Sequence, residues 1–87
     1  MNIEEKVVKK LNEKNMLLTT AESCTAGMIA SAIVNVSGAS NVFHQGYITY
    51  CDEAKNSMLN VKKETLKLYT AVSPQTECEM ALGALSI

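Results

Sequence analysis

Between Met16 and Cys51 the chain runs for 36 residues with a single charged side chain, Glu22. The 15 residues before that stretch carry seven charges. A neutral run this long cannot lie mostly in water, so it should supply the core and any buried site. The flanking segments then have to cover it with amphipathic elements. At 87 residues and 9.4 kDa the whole makes one small domain. A domain of that size buries only roughly 60–65% of its unfolded surface, which means a thin core.

The charge balance excludes several classes. Eight lysines against nine acidic residues leave a net charge of −1, with no basic footprint for nucleic acid. There is no arginine, hence no planar fork for bidentate phosphate or carboxylate binding. No uninterrupted apolar run approaches the roughly 18 residues of a membrane span. Met1 to Lys14 is charged and amphipathic, without the apolar segment of a signal peptide. These features predict a cytoplasmic protein without membrane contact. Cys24, Cys51 and Cys78 are odd in number, form no C-x-x-C, and accompany a single histidine, His44, so no metal site is expected. The cysteines are expected to be small buried hydrophobes. His44, between Phe43 and Gln45, is expected in a partly exposed loop.

Periodicity gives the elements. Asn2 can cap a helix over about Ile3 to Asn15, with Glu5 three residues on and Ile3, Val7, Val8 and Leu11 as its apolar stripe. Leu17 to Thr20 reads as a strand, Cys24 to Val36 as a helix, and Gly46 to Cys51 as a second strand. Asp52 can cap a short helix through Met58, and Lys63 to Tyr69 continues helically. Ser73-Pro74 starts a last helix with Cys78, Ala81, Leu82 and Leu85 as its stripe to the chain end. Strand, helix, strand make one βαβ unit with a right-handed crossover. Two strands are too few for an independent sheet, and the last stripe ends without a cap, so the chain reads as the first part of a larger α/β domain.

The Gly-rich phosphate loops, the G-x-S-x-G elbow and S-x-x-K are all absent. What remains is Thr20-Ala21-Glu22-Ser23-Cys24-Thr25-Ala26-Gly27 at a strand-to-helix junction. Outward N–H groups there favour an anion or a developing oxyanion. Plain capping by Ser23 or Thr25, with Gly27 packed against the sheet, fits the same residues.

That block is followed in order by Gly38-Ala39-Ser40-x-x-Phe43, Gly46-Tyr47-Ile48-Thr49-Tyr50-x-x-x-x-Lys55, Leu59-Asn60-Val61 and Ala71-Val72-Ser73. The series resembles the CinA C-terminal domain family, the nicotinamide-nucleotide amidases, over nearly the whole chain. The resemblance implies a three-layer α/β/α sandwich on a mixed sheet, of which residues 1–87 supply only the first part. It implies hydrolysis of the amide of nicotinamide mononucleotide to nicotinate mononucleotide and ammonia, a step of pyridine nucleotide salvage that needs no cofactor or metal. Ser40 falls on the family's nucleophilic serine, Tyr50 and Lys55 on the residues that assist it, and Ser23 on the serine of the helix-start motif. Thr25, Gly27 and Gly46 are expected beside this small-molecule nucleotide substrate. Departures are Ala26-Gly27 and Gln45-Gly46 where the family has paired glycines, and Ala39-Ser40 where it has paired serines. The family domain also continues for roughly as much chain again. A homo-oligomer, or pairing with a missing second half, is therefore expected.

The chemistry agrees in outline. A serine hydroxyl is a weak nucleophile until a base takes its proton. With no usable histidine, neutral Lys55 is the candidate, near a helix start but beside Asp52 and Glu53. The alternative expectation is a truncated, non-catalytic interaction module.

Overall fold

The charged N-terminal segment folds as its capping residues predict. In the computed structural model, which describes residues 1–86, α1 spans Ile3–Glu13. Asn2 Oδ1 accepts from the Glu5 N–H at 2.9 Å, and Glu5 Oε1 accepts from the Asn2 N–H at 3.2 Å. Of the predicted stripe, Val8 is buried and Leu11 half-buried, while Ile3 and Val7 face water.

β1 (Leu18–Glu22) and β2 (Phe43–Ile48) pair in parallel, joined through α2 (Met28–Val34) and a 3₁₀ turn at Ala39–Asn41. Both strands are displaced from their predicted spans. Leu18 lies opposite Phe43 and Glu22 opposite Ile48, so the partner strand, not local propensity, sets the ends. His44 consequently lies on β2 and not in a loop, although it is exposed. The neighbours Leu18 and Thr19 pair with Phe43 and Gln45, which leaves His44 as one extra residue in β2. That irregularity turns Phe43 and Tyr47 to different sides of the ladder. Phe43 packs with Leu18 against Val8, Ile33, Ala39 and Val42, whereas Tyr47 packs with Ala21 against Leu59, Val61, Met80 and Ala84.

The sequence predicts α2 from Cys24, but it starts only at Met28. Ala26 (φ +50°) and Gly27 (φ +94°) are both left-handed, a conformation that a right-handed helix cannot contain. The N-cap is Gly27, so neither Ser23 nor Thr25 caps the helix.

Three helices complete the chain: α3 (Asp52–Leu59), α4 (Lys63–Tyr69) and α5 (Pro74–Leu85). The cap of α3 is Cys51, without a side-chain bond, and Asp52 is the first helical residue. Ser73 caps α5 as predicted, its Oγ accepting from the Thr76 N–H at 3.1 Å with Pro74 next. The apolar stripe of α5 is left uncovered, and a second face of the helix carries its packing. Thr76, Met80, Gly83 and Ala84 face inward, and the predicted stripe of Cys78, Ala81, Leu82 and Leu85 faces water. The cause is close approach to α3: a Cβ on Gly83 would collide with the Leu59 carbonyl. The end of the predicted helix at Ile87 lies outside the described residues.

All three cysteines are exposed, contrary to expectation. Cys24 is in the turn before α2, Cys51 precedes α3, and Cys78 is on the outer face of α5, positions that topology turns away from both clusters. The architecture is α/β, two parallel strands with apolar clusters from helices on either side.

Candidate active site

The one charged residue of the neutral stretch organises the site. Glu22 ends β1 with only 3% of its surface exposed. Its Oε1 accepts from the Ile29 N–H (2.8 Å) and Thr25 Oγ (2.8 Å), and its Oε2 accepts from the Ala30 N–H (3.1 Å). A carboxylate from the preceding strand thus fills the position a capping side chain would occupy on α2. Burial pushes the Glu22 carboxyl up, but bonds from Ile29, Ala30, Thr25 and Gly27 outweigh it and hold the group below its ordinary value. The start of α2 is therefore already satisfied from within. The anion or oxyanion reading of that helix start loses its free amides.

Ser23 follows directly. The Glu22 carbonyl accepts from the Thr49 N–H at 2.9 Å, which ties the end of β1 to the segment leaving β2. From that segment the chain enters α3, where Lys55 is fully buried. Lys55 Nζ donates to Ser23 Oγ at 2.8 Å, to the Thr49 carbonyl at 2.7 Å and to the Tyr50 carbonyl at 3.4 Å. Three acceptors match the three donors of an ammonium. A neutral amine could keep both carbonyl bonds and turn its lone pair to the Ser23 hydroxyl. That is the geometry a serine nucleophile and its base require.

The other predicted residues are distributed unevenly. Ser40, on the 3₁₀ turn, is exposed and lines a hollow of about 290 Å³ with Val34, Val36, Gly38, Ala39 and Phe43. It is not among the partners of Lys55. Tyr50 reaches Lys55 through its carbonyl, while its ring is 74% exposed. Thr25 donates to Glu22 and borders the cavity beside Ser23. Gly27 has a packing reason as well as its positive φ, since a Cβ there would stand 2.9 Å from Ile48 Cδ1. Gly46 is required by the sheet, because a Cβ would strike Thr20 Oγ1 and lie 3.2 Å from Phe43 Cζ.

Ser23 opens on a cavity of about 210 Å³ walled also by Ala21, Thr25, Val72, Glu77 and Met80. A larger hollow of about 660 Å³ between α3 and α4, lined by Asp52, Asn56, Lys63 and Lys67 among others, contains none of the candidate residues. Among the described residues no cluster of His, Cys, Asp and Glu could hold a metal ion. No helix among the described residues is long and apolar enough to cross a membrane. Sequence reading assigned no role to Glu22, although a lone carboxylate in 36 otherwise neutral residues was its signal.

The family model described as the CinA C-terminal domain matches residues 1–87. The chain is 52% identical over 82 residues to a CinA-like protein of Kosmotoga olearia, covering 94% of this chain and 20% of that one. A crystal structure of a CinA superfamily protein from Escherichia coli superposes with a TM-score of 0.95 at 36% identity, covering 98% of this chain and 49% of that one. A competence/damage inducible protein from Agrobacterium tumefaciens gives a TM-score of 0.93 at 41% identity, covering 95% and 50%. The chain thus spans about half the length of these solved relatives and about a fifth of the curated one.

Proposed function

Because the chain belongs to the CinA C-terminal domain family, we propose that its Ser23–Lys55 pair serves an amidohydrolase acting on nicotinamide mononucleotide. The observation that carries the reading is the 2.8 Å bond from buried Lys55 to Ser23. Neutral Lys55 takes the Ser23 proton as the oxygen attacks the amide carbon. The resulting ammonium returns the proton to the departing nitrogen, which leaves as ammonia. Water then attacks the acyl-serine, giving a proton to Lys55, which passes it to the departing Ser23 oxygen, so that the nicotinate product, free serine and neutral amine result. The Thr49 and Tyr50 carbonyls hold the amine in place throughout, and the Tyr50 side chain is exposed. The substrate is a small-molecule nucleotide, and neither metal nor cofactor enters a step.

The proposal moves the attacking role from Ser40, which the family resemblance implies, to Ser23, which the geometry favours. The test compares three variants of the native protein for ammonia release from nicotinamide mononucleotide. Ser23→Ala and Lys55→Met should each lose about 10³-fold or more in kcat while remaining folded. Ser40→Ala should lose far less. A dead Ser40→Ala beside an active Ser23→Ala would restore the family assignment.

A further inference from the structure

Thr49 is bonded to both sides of the Ser23–Lys55 pair through its backbone, while its side chain has no task. Its N–H donates at 2.9 Å to the Glu22 carbonyl, which belongs to the peptide bond leading into Ser23. Its own carbonyl accepts from Lys55 Nζ at 2.7 Å. The residue is fully buried, yet Thr49 Oγ1 has no hydrogen-bond partner. A buried hydroxyl left unpaired destabilises a fold, and valine would fill nearly the same shape without that penalty. Among the described residues the other orphan of this kind is Thr20 Oγ1, which lies against Gly46 inside the sheet. Thr49 is the one whose residue already holds the amine.

The bonds of Lys55 indicate what the hydroxyl could do. Its contacts with the Thr49 carbonyl (2.7 Å) and Ser23 Oγ (2.8 Å) are short. The contact with the Tyr50 carbonyl, at 3.4 Å, is longer than the roughly 2.7–3.2 Å of a good N–H···O bond. Once the amine has taken the Ser23 proton it carries three N–H groups and a full charge. One of them must point at the departing nitrogen. The other two then rest on the Thr49 carbonyl and on the long bond to Tyr50. A better acceptor is available on Thr49 itself, because rotation about χ1 exchanges its hydroxyl with the methyl or the hydrogen at little change in volume.

We propose that Thr49 is a positioning residue for the reaction: its hydroxyl turns to accept from the Lys55 ammonium and so directs the remaining N–H to the leaving group. The inference rests on the amidase reading of Ser23 and Lys55. It adds a reason for keeping an unpaired hydroxyl in the core, since the bond it makes is charge-assisted and exists only while the amine is protonated. Thr49 touches neither substrate nor reacting atoms; it acts through Lys55.

The test separates hydroxyl from shape. Thr49→Val keeps the shape and removes the hydroxyl, whereas Thr49→Ser keeps the hydroxyl and removes the methyl. Unfolding midpoints and ammonia release from nicotinamide mononucleotide are measured for both and for the wild type. Thr49→Val should melt at or above the wild type, yet lose about tenfold in kcat with KM unchanged. Thr49→Ser should melt lower, for want of a buried methyl, and keep kcat within about twofold. Stability and activity thus move in opposite directions across the two variants, which a purely structural role would not produce. Near-normal kcat in Thr49→Val, or activity that follows stability in both, would overturn the proposal. If the wild type itself releases no ammonia, the amidase reading has failed, and Thr49 is judged without turnover. Three-bond NMR couplings to the Thr49 methyl carbon report χ1, and the wild type should show a second rotamer that disappears in Lys55→Met. A single rotamer common to both proteins would overturn the link between Thr49 and the amine.

Discussion

Three helices, α2, α3 and α4, begin without a bond from a capping side chain of their own, and two of them take a carboxylate from another element. For α2 the donor element is β1: Glu22 accepts from Ile29, Ala30 and Thr25. For α4 it is α5: Glu79 accepts from the Lys62 N–H at 2.9 Å and from Thr65 Oγ at 2.6 Å. The N-caps themselves, Gly27 and Lys62, make no side-chain bond. The devices are alike and their settings differ. Glu22 is buried and adjoins Ser23, while Glu79 is only partly covered and lies on α5, outside the Ser23 cavity. One clasp therefore shapes a site, and the other fastens a surface helix to its neighbour.

The largest break in that comparison is Glu22→Ala. It leaves the Ile29 and Ala30 amides and the Thr25 hydroxyl without their acceptor, and it opens a space at the end of β1. A buried group losing charge-assisted partners costs about 2–4 kcal/mol, a large share of the stability of so small a domain. The turn that carries Ser23 would lose its clasp, so the proposed amidase activity should fall along with the unfolding midpoint. Denaturant melts with parallel ammonia assays check this. A variant that melts like the wild type would show that the clasp is dispensable.

Acid should separate the buried clasp by its proton. The Glu22 carboxyl is held below its ordinary value of 4.5, burial being outweighed by the amide and hydroxyl bonds. A depressed carboxyl stabilises the fold above the unfolded pKa, and that contribution disappears as pH falls through the folded one. The wild type should therefore lose stability below about pH 4.5, and Glu22→Gln, which has no such proton to gain, should lose less. The two stability curves should converge as pH drops. Parallel curves from pH 7 to pH 3 would mean that the acid sensitivity comes from other groups. Glu79 adds a component of the same sign, since bonds from Lys62 and Thr65 outweigh burial there and the Lys62 charge assists.

How far these features could be read from sequence depends on how local their causes are. The Asn2–Glu5 box, the Ser73-Pro74 start and the span of α4 from Lys63 to Tyr69 match expectation, because each is decided within a few residues. The ends of β2 do not, since they follow from pairing with β1, and the extra residue at His44 has no local signature. The packed face of α5 has a non-local cause as well. Apolar periodicity favoured Leu82 and Leu85, but contact with the α3 backbone selects Gly83 and Ala84. Ser23 and Lys55 were each singled out, yet their pairing spans 32 residues and only the fold brings it about. Ser40 was linked to Lys55 by motif spacing, whereas the structure gives that amine to Ser23.

A smaller effect should come from the loop that Glu22 clasps. Ala26 is left-handed at φ +50°, directly before Gly27 at φ +94°. A side chain in that region costs about 1–2 kcal/mol, which the greater unfolded-state entropy of glycine partly offsets. Ala26→Gly should therefore stabilise by about 0.5–1 kcal/mol. An urea midpoint that falls on this change would mean that the Ala26 methyl makes a contact worth more than its strain.

The smallest expected effect belongs to the surface clasp, and it tests whether burial is what separates the two carboxylates. Glu79→Gln keeps one carbonyl oxygen that can still accept from Lys62 or Thr65, but not the charge that favours both bonds. Water reaches this group and can replace what is lost, so global stability should fall by less than in Glu22→Gln. The change should appear locally, as faster hydrogen exchange at the Lys62 amide and through the first turn of α4. Ammonia release should match the wild type, because Ser23 and Lys55 are held by β1, the Thr49–Tyr50 segment and α3. If Glu79→Gln instead slowed catalysis as much as Glu22→Gln does, the two clasps would belong to one coupled unit, and nearness to Ser23 would not be what makes Glu22 the functional one.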